Sequence, residues 1–368
     1  MTDTDDLLPI GLEDRLPAEA RKTTHAMRAG LRAMDLYGYD RVRPPLIEFE
    51  RALAGRMDGV STSRMFRFVD PQSLRTLALR SDMTPQMGRI ASTALADAAR
   101  PLRLCYAGEV ATITADQLDP SRQRLQLGAE LIGSDSAIAA GEMVTLAIEA
   151  VEAMGASGIS VDFTLPDLVD VLAAEAYPLL PDQVDRVRRE LDTKDAGGLL
   201  QAGGEAYLPL IHAAGPFAQA LDKLRALDAG GALASRIEGL EQVAERLGDR
   251  ARLTLDPTER HGFEYQSWFG FTLYAEGARS ALGRGGTYWI KGSDEAATGF
   301  SLYLDALLPA LPDEAQGATM FLPPGHDRGV AARLRSEGWR TCEAVGPQDD
   351  AKALGCTHVL DGDAPREL

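Results

Sequence analysis

The 368-residue chain has few cysteines, a shortage of positive charge and no long hydrophobic run, and each shortage excludes a class of protein. Its three cysteines, Cys105, Cys342 and Cys356, are too few and too scattered for a disulfide framework, so they indicate free thiols in a reducing compartment. The formal net charge of −17 argues against broad electrostatic binding to nucleic acid or to anionic lipid. No apolar run reaches the roughly 18 residues that span a bilayer, and the acidic stretch Thr2–Asp6 differs from a secretory signal. These features predict a cytoplasmic protein without membrane or nucleic-acid partners.

The composition is that of a soluble globular protein, with 45% hydrophobic and 25% charged residues. At roughly 150 residues per domain, the length predicts two domains. We predict a large domain over residues 1–315 and a small α/β segment over residues 316–368. The large domain should carry a helical insertion at about 167–250, where Ala, Leu, Glu, Arg and Asp dominate between glycine pairs.

The order of helical and strand patterns favours an α+β fold with an antiparallel sheet. Residues Pro17–Met34 show helical spacing of apolar side chains, and a turn at Asp70–Ser73 predicts a hairpin. Between them, Tyr39–Glu48 is a predicted strand whose pair Pro44-Pro45 removes two donors, so it is an edge strand or ends there. Arg103–Val110 and Leu125–Ile132 have the alternation of two further strands, antiparallel by their spacing. Runs of hairpins with helices at long range differ from the regular βαβ alternation of a parallel sheet.

Nucleotide-binding and metal-binding motifs are missing from the sequence. No GxGxxG follows a strand and there is no GxxxxGK[ST], because Gly283–Gly286 lacks the Lys-Ser/Thr pair that would hold phosphate and magnesium. Cys356-Thr357-His358 has no second pair of ligands at zinc spacing. The sequence therefore predicts neither a cofactor nor a metal.

The first polar cluster, Leu79–Gln86, lies where a strand gives way to a helix. Asp82 and Thr84 alternate, so in an extended chain both side chains point to one face. There they could accept hydrogen bonds from an ammonium group. The same two residue types are also common helix caps, so both interpretations stay open.

The second polar cluster lies on the predicted strand Leu125–Ile132. Gln126, Gly128 and Glu130 share one face, and leucines occupy the other. A glycine between two polar residues is typical of a floor that a small ligand approaches closely. The alternative is the solvated face of a sheet.

The third cluster, Arg260–Phe269, concentrates aromatic and ionisable residues. His261 could act as a base, but no serine or cysteine stands in a nucleophile motif. A histidine beside aromatic residues is also commonly a packing or loop residue, and the sequence alone does not decide between these roles.

Taken in this order, the clusters resemble the class II aminoacyl-tRNA synthetases of the histidyl type. Pro17–Glu48 is similar to motif 1 of that family, and the strand–loop–strand Arg103–Gly133 is similar to motif 2. Arg260–Phe271 resembles the histidine-specific segment Arg-Gly-Leu-Asp/Glu-Tyr-Tyr. Gly285–Tyr288 resembles Gly-Gly-Arg-Tyr, and Gly299–Ser301 opens what should be motif 3. The resemblance covers about residues 8–310 and implies an antiparallel sheet flanked by helices, with dimerisation through the N-terminal helix–strand region.

The sequence departs from that family where the synthetases bind ATP. Thr112 stands where motif 2 has the arginine that binds the α-phosphate, and Thr114 where a glutamate usually follows. Ala306 replaces the arginine of motif 3. Neutral side chains cannot offset the charge of a triphosphate, and loss of one charged partner typically costs several kcal/mol of transition-state stabilisation. These departures predict that the chain does not form an adenylate.

The amino-acid side of the pocket is retained. By the resemblance, the residues that would bind the amino group and the imidazole of histidine are Asp82, Thr84, Gln126, Glu130 and Tyr265. The position of the family's carboxylate-binding arginine is taken either by Arg260 or by His261. No residue is assigned a catalytic role.

The stretch after Pro312 is short for the anticodon-binding domain of a synthetase. Together with the departures above, this pattern resembles the ATP phosphoribosyltransferase regulatory subunits, which are synthetase-like proteins without aminoacylation. That resemblance implies a partner, the short-form catalytic subunit of the first step of histidine biosynthesis, which this chain would activate and subject to feedback inhibition by L-histidine. Three alternatives stay open: a divergent histidyl-tRNA synthetase, another synthetase-like paralogue that binds tRNA or a ribosomal partner, and an amino-acid enzyme of different specificity.

Overall fold

A computed structural model describes residues 7–55, 57, 62–114, 120–228, 230–260, 266–293, 295–312 and 317–368. The chain divides into two compact units, Met1–Pro312 and Asp313–Leu368. Among the helices in the described ranges, none combines the length and the apolar character that a membrane span requires.

The strands of the first unit are short at its N-terminus and long in the middle of the chain. In chain order they are β1 (Asp40–Arg41), β2 (Ile47–Phe49), β3 (Arg67–Val69), β4 (Thr76–Leu79), β5 (Leu102–Ala111), β6 (Gln123–Ile132), β7 (Ser160–Thr164), β8 (Gly215–Pro216), β9 (Arg252–Leu255), β10 (Gln266–Tyr274), β11 (Gly283–Trp289) and β12 (Ala296–Tyr303).

The helices of the first unit cluster in two stretches, before β5 and between β7 and β9, with α4 and α10 outside them. They are α1 (Pro17–Leu36), α2 (Glu50–Ala54), α3 (Thr84–Ser92), α4 (Ala137–Ala153), α5 (Leu168–Glu175), α6 (Pro181–Asp192), α7 (Ala196–Gln201), α8 (Phe217–Leu227), α9 (Ala234–Leu247) and α10 (Leu304–Leu307), with short 3₁₀ turns at Thr62–Arg64, Glu205–His212 and Leu308–Ala310.

Within the described residues, nine strands form one sheet in the order β1-β5-β6-β12-β11-β10-β7-β9-β8. The central pairs, from β5 to β7, are all antiparallel, which confirms the predicted pairing of the strands around Arg103 and Leu125. Only the outer pairs β1–β5 and β7–β9 are parallel. The glycine-rich strand β11 lies in the middle of this sheet, although its sequence carries little strand signal.

The two faces of the sheet separate the core from the polar cluster. On β6, Leu125, Leu127 and Leu131 join the main hydrophobic core, which also includes residues of α1 and α4. Each fully buried leucine contributes about 1.5–3 kcal/mol of hydrophobic stabilisation. Because side chains alternate along a strand, Gln126 and Glu130 project from the opposite face, toward α3.

The expected strand after α1 is split by its proline pair. β1 joins the nine-stranded sheet, whereas β2 is an edge strand of a separate sheet with the order β2-β4-β3. Arg80 Nη1 donates to the carbonyl of Pro44 at 3.1 Å, at the point where the chain leaves one sheet for the other. Proline removes a ladder donor, which explains why the strand ends there. The hairpin predicted around Asp70 forms the β3–β4 pair.

The stretch between β7 and β9 is helical and contributes to the same core through Val187, Leu191 and Leu240. An ion pair ties it to the sheet, since Lys194 Nζ lies 2.7 Å from Asp256 Oδ1 just beyond β9. The helices of this stretch therefore pack as part of the first unit.

The second unit has a small sheet of its own, built from β13 (Thr319–Leu322), β14 (Arg340–Glu343), β15 (His358–Asp361) and β16 (Ala364–Glu367), with helix α11 (Arg328–Ser336). Its strand order is β14-β13-β15-β16, and the pairs that β13 makes are parallel. Met320, Leu322 and Leu334 form its core.

Candidate functional site

The first polar cluster folds into the turn between β4 and α3. Asp82 Oδ1 accepts the backbone N–H of Thr84 at 3.1 Å and the Thr84 hydroxyl at 3.2 Å. The helix begins at Thr84 with Met83 as its N-cap residue, whose side chain makes no capping bond. Asp82 thus holds the start of the helix, as the capping interpretation expects, and also contacts the neighbouring strand through Gln126. Its binding of an ammonium group stays a prediction.

Gln126 ties this turn to the sheet. Its amide Nε2 donates to Asp82 Oδ1 and to Ser301 Oγ, each at 2.7 Å, and its Oε1 accepts the N–H of Met83 at 2.9 Å. Gln126 is 0% exposed, so these bonds replace water completely. The position of the Asp82 carboxylate is therefore fixed from two sides.

Glu130 lies deeper on the same strand and is only 1% exposed, so this face of β6 is not the solvated face that the sequence allowed. Its two carboxyl oxygens accept from tyrosine hydroxyls, Oε1 from Tyr106 at 3.1 Å and Oε2 from Tyr288 at 2.8 Å. Burial raises the pKa of Glu130 to about 8, against the lowering effect of these hydroxyls. A carboxyl group with such a pKa can donate to, or accept from, a neutral imidazole.

The Tyr106 hydroxyl links the two carboxyl groups. Besides Glu130, it lies 3.2 Å from Thr84 Oγ1 and 3.1 Å from Ser301 Oγ. The network joins four of the predicted residues, Asp82, Thr84, Gln126 and Glu130. Tyr106, Tyr288 and Ser301 also belong to it and were not predicted as site residues, because each comes from a different strand.

A cavity opens beside this network, and its volume of about 210 Å³ includes space that is open to solvent. Its lining residues are Thr84, Glu130, Gln266, Arg284, Gly285, Gly286, Tyr288, Gly299, Phe300 and Ser301.

Glycines line much of this cavity because neighbouring groups occupy the space of a Cβ atom. At Gly128, the middle residue of the second cluster, an added Cβ would overlap the Tyr106 hydroxyl and the carbonyl of Phe300. The space above Gly128 is therefore filled by the protein itself, and Gly128 is not among the residues that line the cavity. Close approach of a ligand to Gly128 stays a prediction.

Arg284 is a further cavity residue that the sequence did not single out. It lies on β11, and its Nε is buried without a hydrogen-bond partner among the described residues. Arg284 also acts electrostatically on Tyr303. Burial and the nearby Asp82 raise the pKa of the Tyr303 phenol, whereas Arg124, Arg284 and Arg64 lower it. The cavity thus has positive as well as negative groups near it.

The third predicted cluster is only partly described. Arg260 does not line the cavity beside Glu130; it lines a second one with Arg188 and Leu191, and its backbone N–H donates to Asp192 at 2.9 Å. His261 and Tyr265 lie outside the described residues. The assignment of these three residues to the site stays a prediction.

The two residues that replace the family's ATP-binding arginines, Thr112 and Ala306, are uncharged. Thr112 continues the β5–β6 pairing, with its N–H donating to the carbonyl of Arg122 at 2.9 Å. Ala306 packs its methyl group against the main core. Across the described ranges, no group of three or more His, Cys, Asp or Glu side chains could hold a metal ion.

Comparison with known proteins gives close relatives along the whole chain. A sequence profile of the histidyl-tRNA synthetase family matches residues 11–307. An ATP phosphoribosyltransferase regulatory subunit of Paramagnetospirillum magneticum is 43% identical and aligns over 98% of both chains. A protein of the same name from Rhodospirillum centenum is 39% identical, over 98% of this chain and 96% of its own.

Solved structures confirm the predicted fold class. An ATP phosphoribosyltransferase regulatory subunit/histidyl-tRNA synthetase from Bacillus halodurans superposes with a TM-score of 0.83 at 24% identity, over 98% of each chain. A histidyl-tRNA synthetase from Nostoc sp. PCC 7120 gives a TM-score of 0.78 at 17% identity, over 97% of this chain and 91% of its own. The chain therefore belongs to the histidyl-tRNA synthetase-like family that includes the ATP phosphoribosyltransferase regulatory subunits.

Proposed function

We propose that the chain is a histidine-sensing, non-catalytic regulatory subunit of ATP phosphoribosyltransferase. In this role it assembles with the short-form catalytic subunit, activates the first step of histidine biosynthesis, and inhibits that step when L-histidine binds. The names of its full-length relatives support the regulatory role. The ligand and the direction of its effect rest on the site.

The observation that carries the proposal is the buried network of Asp82, Gln126 and Glu130. Asp82 offers a carboxylate to the ammonium group of an amino acid, and Glu130 offers a hydrogen-bonding partner to an imidazole nitrogen. Thr112 and Ala306, in contrast, give no positive charge for a triphosphate. A site with this chemistry binds an amino acid without activating it.

The same network offers a route by which a bound amino acid could change the protein. Asp82 and Gln126 hold the first residues of α3, and one turn later Gln86 Nε2 donates to the carbonyl of Pro45 at 2.8 Å and to Glu48 Oε1 at 2.7 Å. A ligand that shifts the start of α3 would thus act on β2. Inhibition would equal the difference in histidine affinity between two states of the assembly, typically about 1–3 kcal/mol.

We further propose that the three-stranded sheet β2-β4-β3 contributes to a dimer interface. Several large apolar side chains of this sheet and its turn are exposed, including Ile47, Phe68, Val69 and Leu74, the last at 80%. Ile47 and Phe68 lie on one face of this sheet and Val69 on the other, because successive strand residues alternate. An exposed apolar face of this kind commonly marks an interaction surface. A second copy of the chain would cover the face of Ile47 and Phe68. Of this sheet, only β2 overlaps the region Pro17–Glu48 through which the motif 1 resemblance implies a dimer.

Co-purification with the short catalytic subunit tests the proposal. We expect a stable complex, a higher turnover of the catalytic subunit in the presence of this chain, and a fall in that turnover when L-histidine is added. Asp82→Ala and Glu130→Ala should weaken histidine binding in calorimetry without unfolding the protein, and should relieve the inhibition. Exposed Asp363→Ala, in the second unit, is the matched control. Unchanged turnover in a confirmed complex would contradict the proposal, and unchanged histidine affinity in both variants would refute the site.

One observation favours the alternative of a divergent histidyl-tRNA synthetase. Arg64, Arg124 and Arg284 all act electrostatically on Tyr303, and the Arg124 guanidinium lies 5.5 Å from the centre of that ring. Positive charge near the cavity could bind a phosphate group. Histidine-dependent exchange of pyrophosphate into ATP distinguishes the two functions: we expect none, and measurable exchange would favour the synthetase.

A further inference from the structure

Arg284 occupies the row of the sheet that passes through the centre of the cavity. Along this row it pairs with Ser301 of β12, and Ser301 pairs with Gly128 of β6. Ser301 is hydrogen bonded to both Gln126 and Tyr106, so the strand position next to Arg284 belongs to the network already described. The arginine therefore projects from the cavity face of the sheet.

Among the described residues, the guanidinium of Arg284 makes no ion pair with a carboxylate. Two other part-buried arginines of the described chain do so, Arg89 with Glu48 at 2.6 Å and Arg103 with Glu142 at 3.0 Å. The Nε of Arg284 is buried without a hydrogen bond within the described ranges. An unsatisfied buried donor on a charged group is costly, and a function is a common reason for it to persist.

The nearest acidic groups on the far side of Arg284 are already engaged. Asp162 lies two strands away in the same row, beyond Thr272. It accepts the hydroxyl of Thr254 at 2.5 Å, and it shares a hydrogen bond with Glu259. Burial raises the pKa of Glu259 to about 7, and the bond to Asp162 raises it further, whereas the charge of Arg284 lowers it. The charge of Arg284 is therefore also felt by this acidic pair, whose carboxyl groups are hydrogen bonded to each other.

On its cavity side, Arg284 completes a set of three ionisable groups, with Asp82 and Glu130, that suits one ligand class. Asp82 can hold an ammonium group, and Glu130 can hold a polar side chain. A free amino acid carries, in addition, a carboxylate. The planar guanidinium is the group best suited to bind a carboxylate through two parallel hydrogen bonds.

We propose that Arg284 binds the α-carboxylate of the amino-acid ligand and makes the site selective for free α-amino acids. This inference rests on the proposed function of the same cavity. This contact would be lost for amines without the carboxylate, for esters and for residues within peptides. The role differs from those predicted for Arg260 and His261, because Arg284 lies on the central sheet and lines the cavity itself.

The test compares ligands with and without the carboxylate. In calorimetry we expect the native chain to bind L-histidine about 10- to 100-fold more tightly than histamine, the loss expected for one charge-assisted contact. Arg284→Met should weaken the binding of L-histidine by a similar factor and leave the binding of histamine nearly unchanged, so that the preference for L-histidine disappears. Arg284→Lys should restore part of it. Arg279→Met, at an exposed arginine, is the matched control and should behave like the native chain.

Each outcome separates this inference from the proposed function. If Arg284→Met keeps the native preference for histidine over histamine, Arg284 does not bind the carboxylate, although the chain still senses histidine. If the native chain binds neither ligand, the proposed function fails first. Circular dichroism establishes whether each variant is folded. If Arg284→Met unfolds, Arg284→Gln makes the same comparison with a neutral polar side chain. An unchanged preference for histidine over histamine in Arg284→Gln overturns the inference equally.

Discussion

Glu130 on β6 lies directly opposite Gly299 on β12, and only a glycine at that position leaves room for the glutamate side chain. A Cβ atom built on Gly299 would overlap the Oε2 oxygen of Glu130. That same oxygen accepts the hydroxyl of Tyr288. The shape of the pocket floor thus depends on a pair of residues far apart in the chain.

We predict that Gly299→Ala disrupts the pocket. The added methyl group must displace the Glu130 carboxyl and lengthen its bond to Tyr288, at a cost of about 1–3 kcal/mol in unfolding free energy, as for other overpacked cores. Histidine affinity should fall at least about 10-fold, because one carboxyl hydrogen bond is lost. Urea unfolding and calorimetry measure the two effects. Gly317→Ala, where a Cβ atom meets open space, should change neither; an unaltered affinity in Gly299→Ala would remove Glu130 from the ligand site.

A second prediction concerns the pH dependence of stability. Burial raises the pKa of Glu130 from its ordinary 4.5 to about 8, so the folded protein keeps this proton over a pH range in which the unfolded chain releases it. The proton therefore stabilises the folded state at low pH, and this contribution is lost as the pH rises from about 4.5 to about 8.

Glu130→Gln removes this titration and keeps the shape of the side chain. We expect the variant to gain stability relative to the native protein between pH 5 and pH 9, by a few kcal/mol at most. Urea unfolding at several pH values gives the difference between the two proteins. Parallel curves over this range would show that the carboxyl group of Glu130 titrates normally in the folded protein.

The residues that the sequence identified in this site share one property: a short stretch of sequence around each one is enough to predict its position. Gln126 and Glu130 alternate with Leu125, Leu127 and Leu131, so strand periodicity alone places them on one face. Tyr106 reaches the network around Glu130, and Tyr288 and Arg284 reach the cavity, only because β5 and β11 join the sheet in a particular order. No local pattern encodes that order.

The split of the predicted strand after α1 has a similar cause. The sequence Tyr39–Glu48 has strand character throughout apart from Pro44 and Pro45, which predicted an edge or an end. The structure has both, since β1 and β2 belong to different sheets. The choice of a second sheet depends on long-range bonds such as that from Arg80 to Pro44, which a window of ten residues does not contain.

A third prediction tests the proposed dimer. Phe68→Asp places a charge on the exposed face that Phe68 shares with Ile47, so it should weaken self-association at least about 10-fold while the subunit stays folded. Val69→Lys places a charge on the opposite face of β3 and should have a smaller effect. Sedimentation velocity over a range of concentrations measures the change. Val345→Asp, at an exposed valine of the second unit, is the control. If both surface variants associate as the native protein does, the three-stranded sheet is not the interface.

The fourth prediction concerns the ion pair that anchors the helical stretch to the sheet. Lys194 has a positive φ of 59°, and its ammonium group contacts both Asp256 Oδ1, at 2.7 Å, and the hydroxyl of Thr258. Both side chains of the pair are partly shielded from water, at 31% and 19% exposure. The pair should therefore contribute more than a surface salt bridge, but less than a fully buried one.

We expect Lys194→Met to lower the free energy of unfolding by about 1–2 kcal/mol, with the larger part of the loss arising from the Asp256 carboxylate that is left without its cation. Asp256→Asn in the same background should then cost less than it does alone, because the two residues interact directly. Urea unfolding of the two single variants and the double variant gives this coupling energy. Histidine affinity should be the same in all three variants, since neither residue lines the cavity beside Glu130. If the losses of unfolding free energy in the two single variants simply add in the double variant, the ion pair does not stabilise the folded chain.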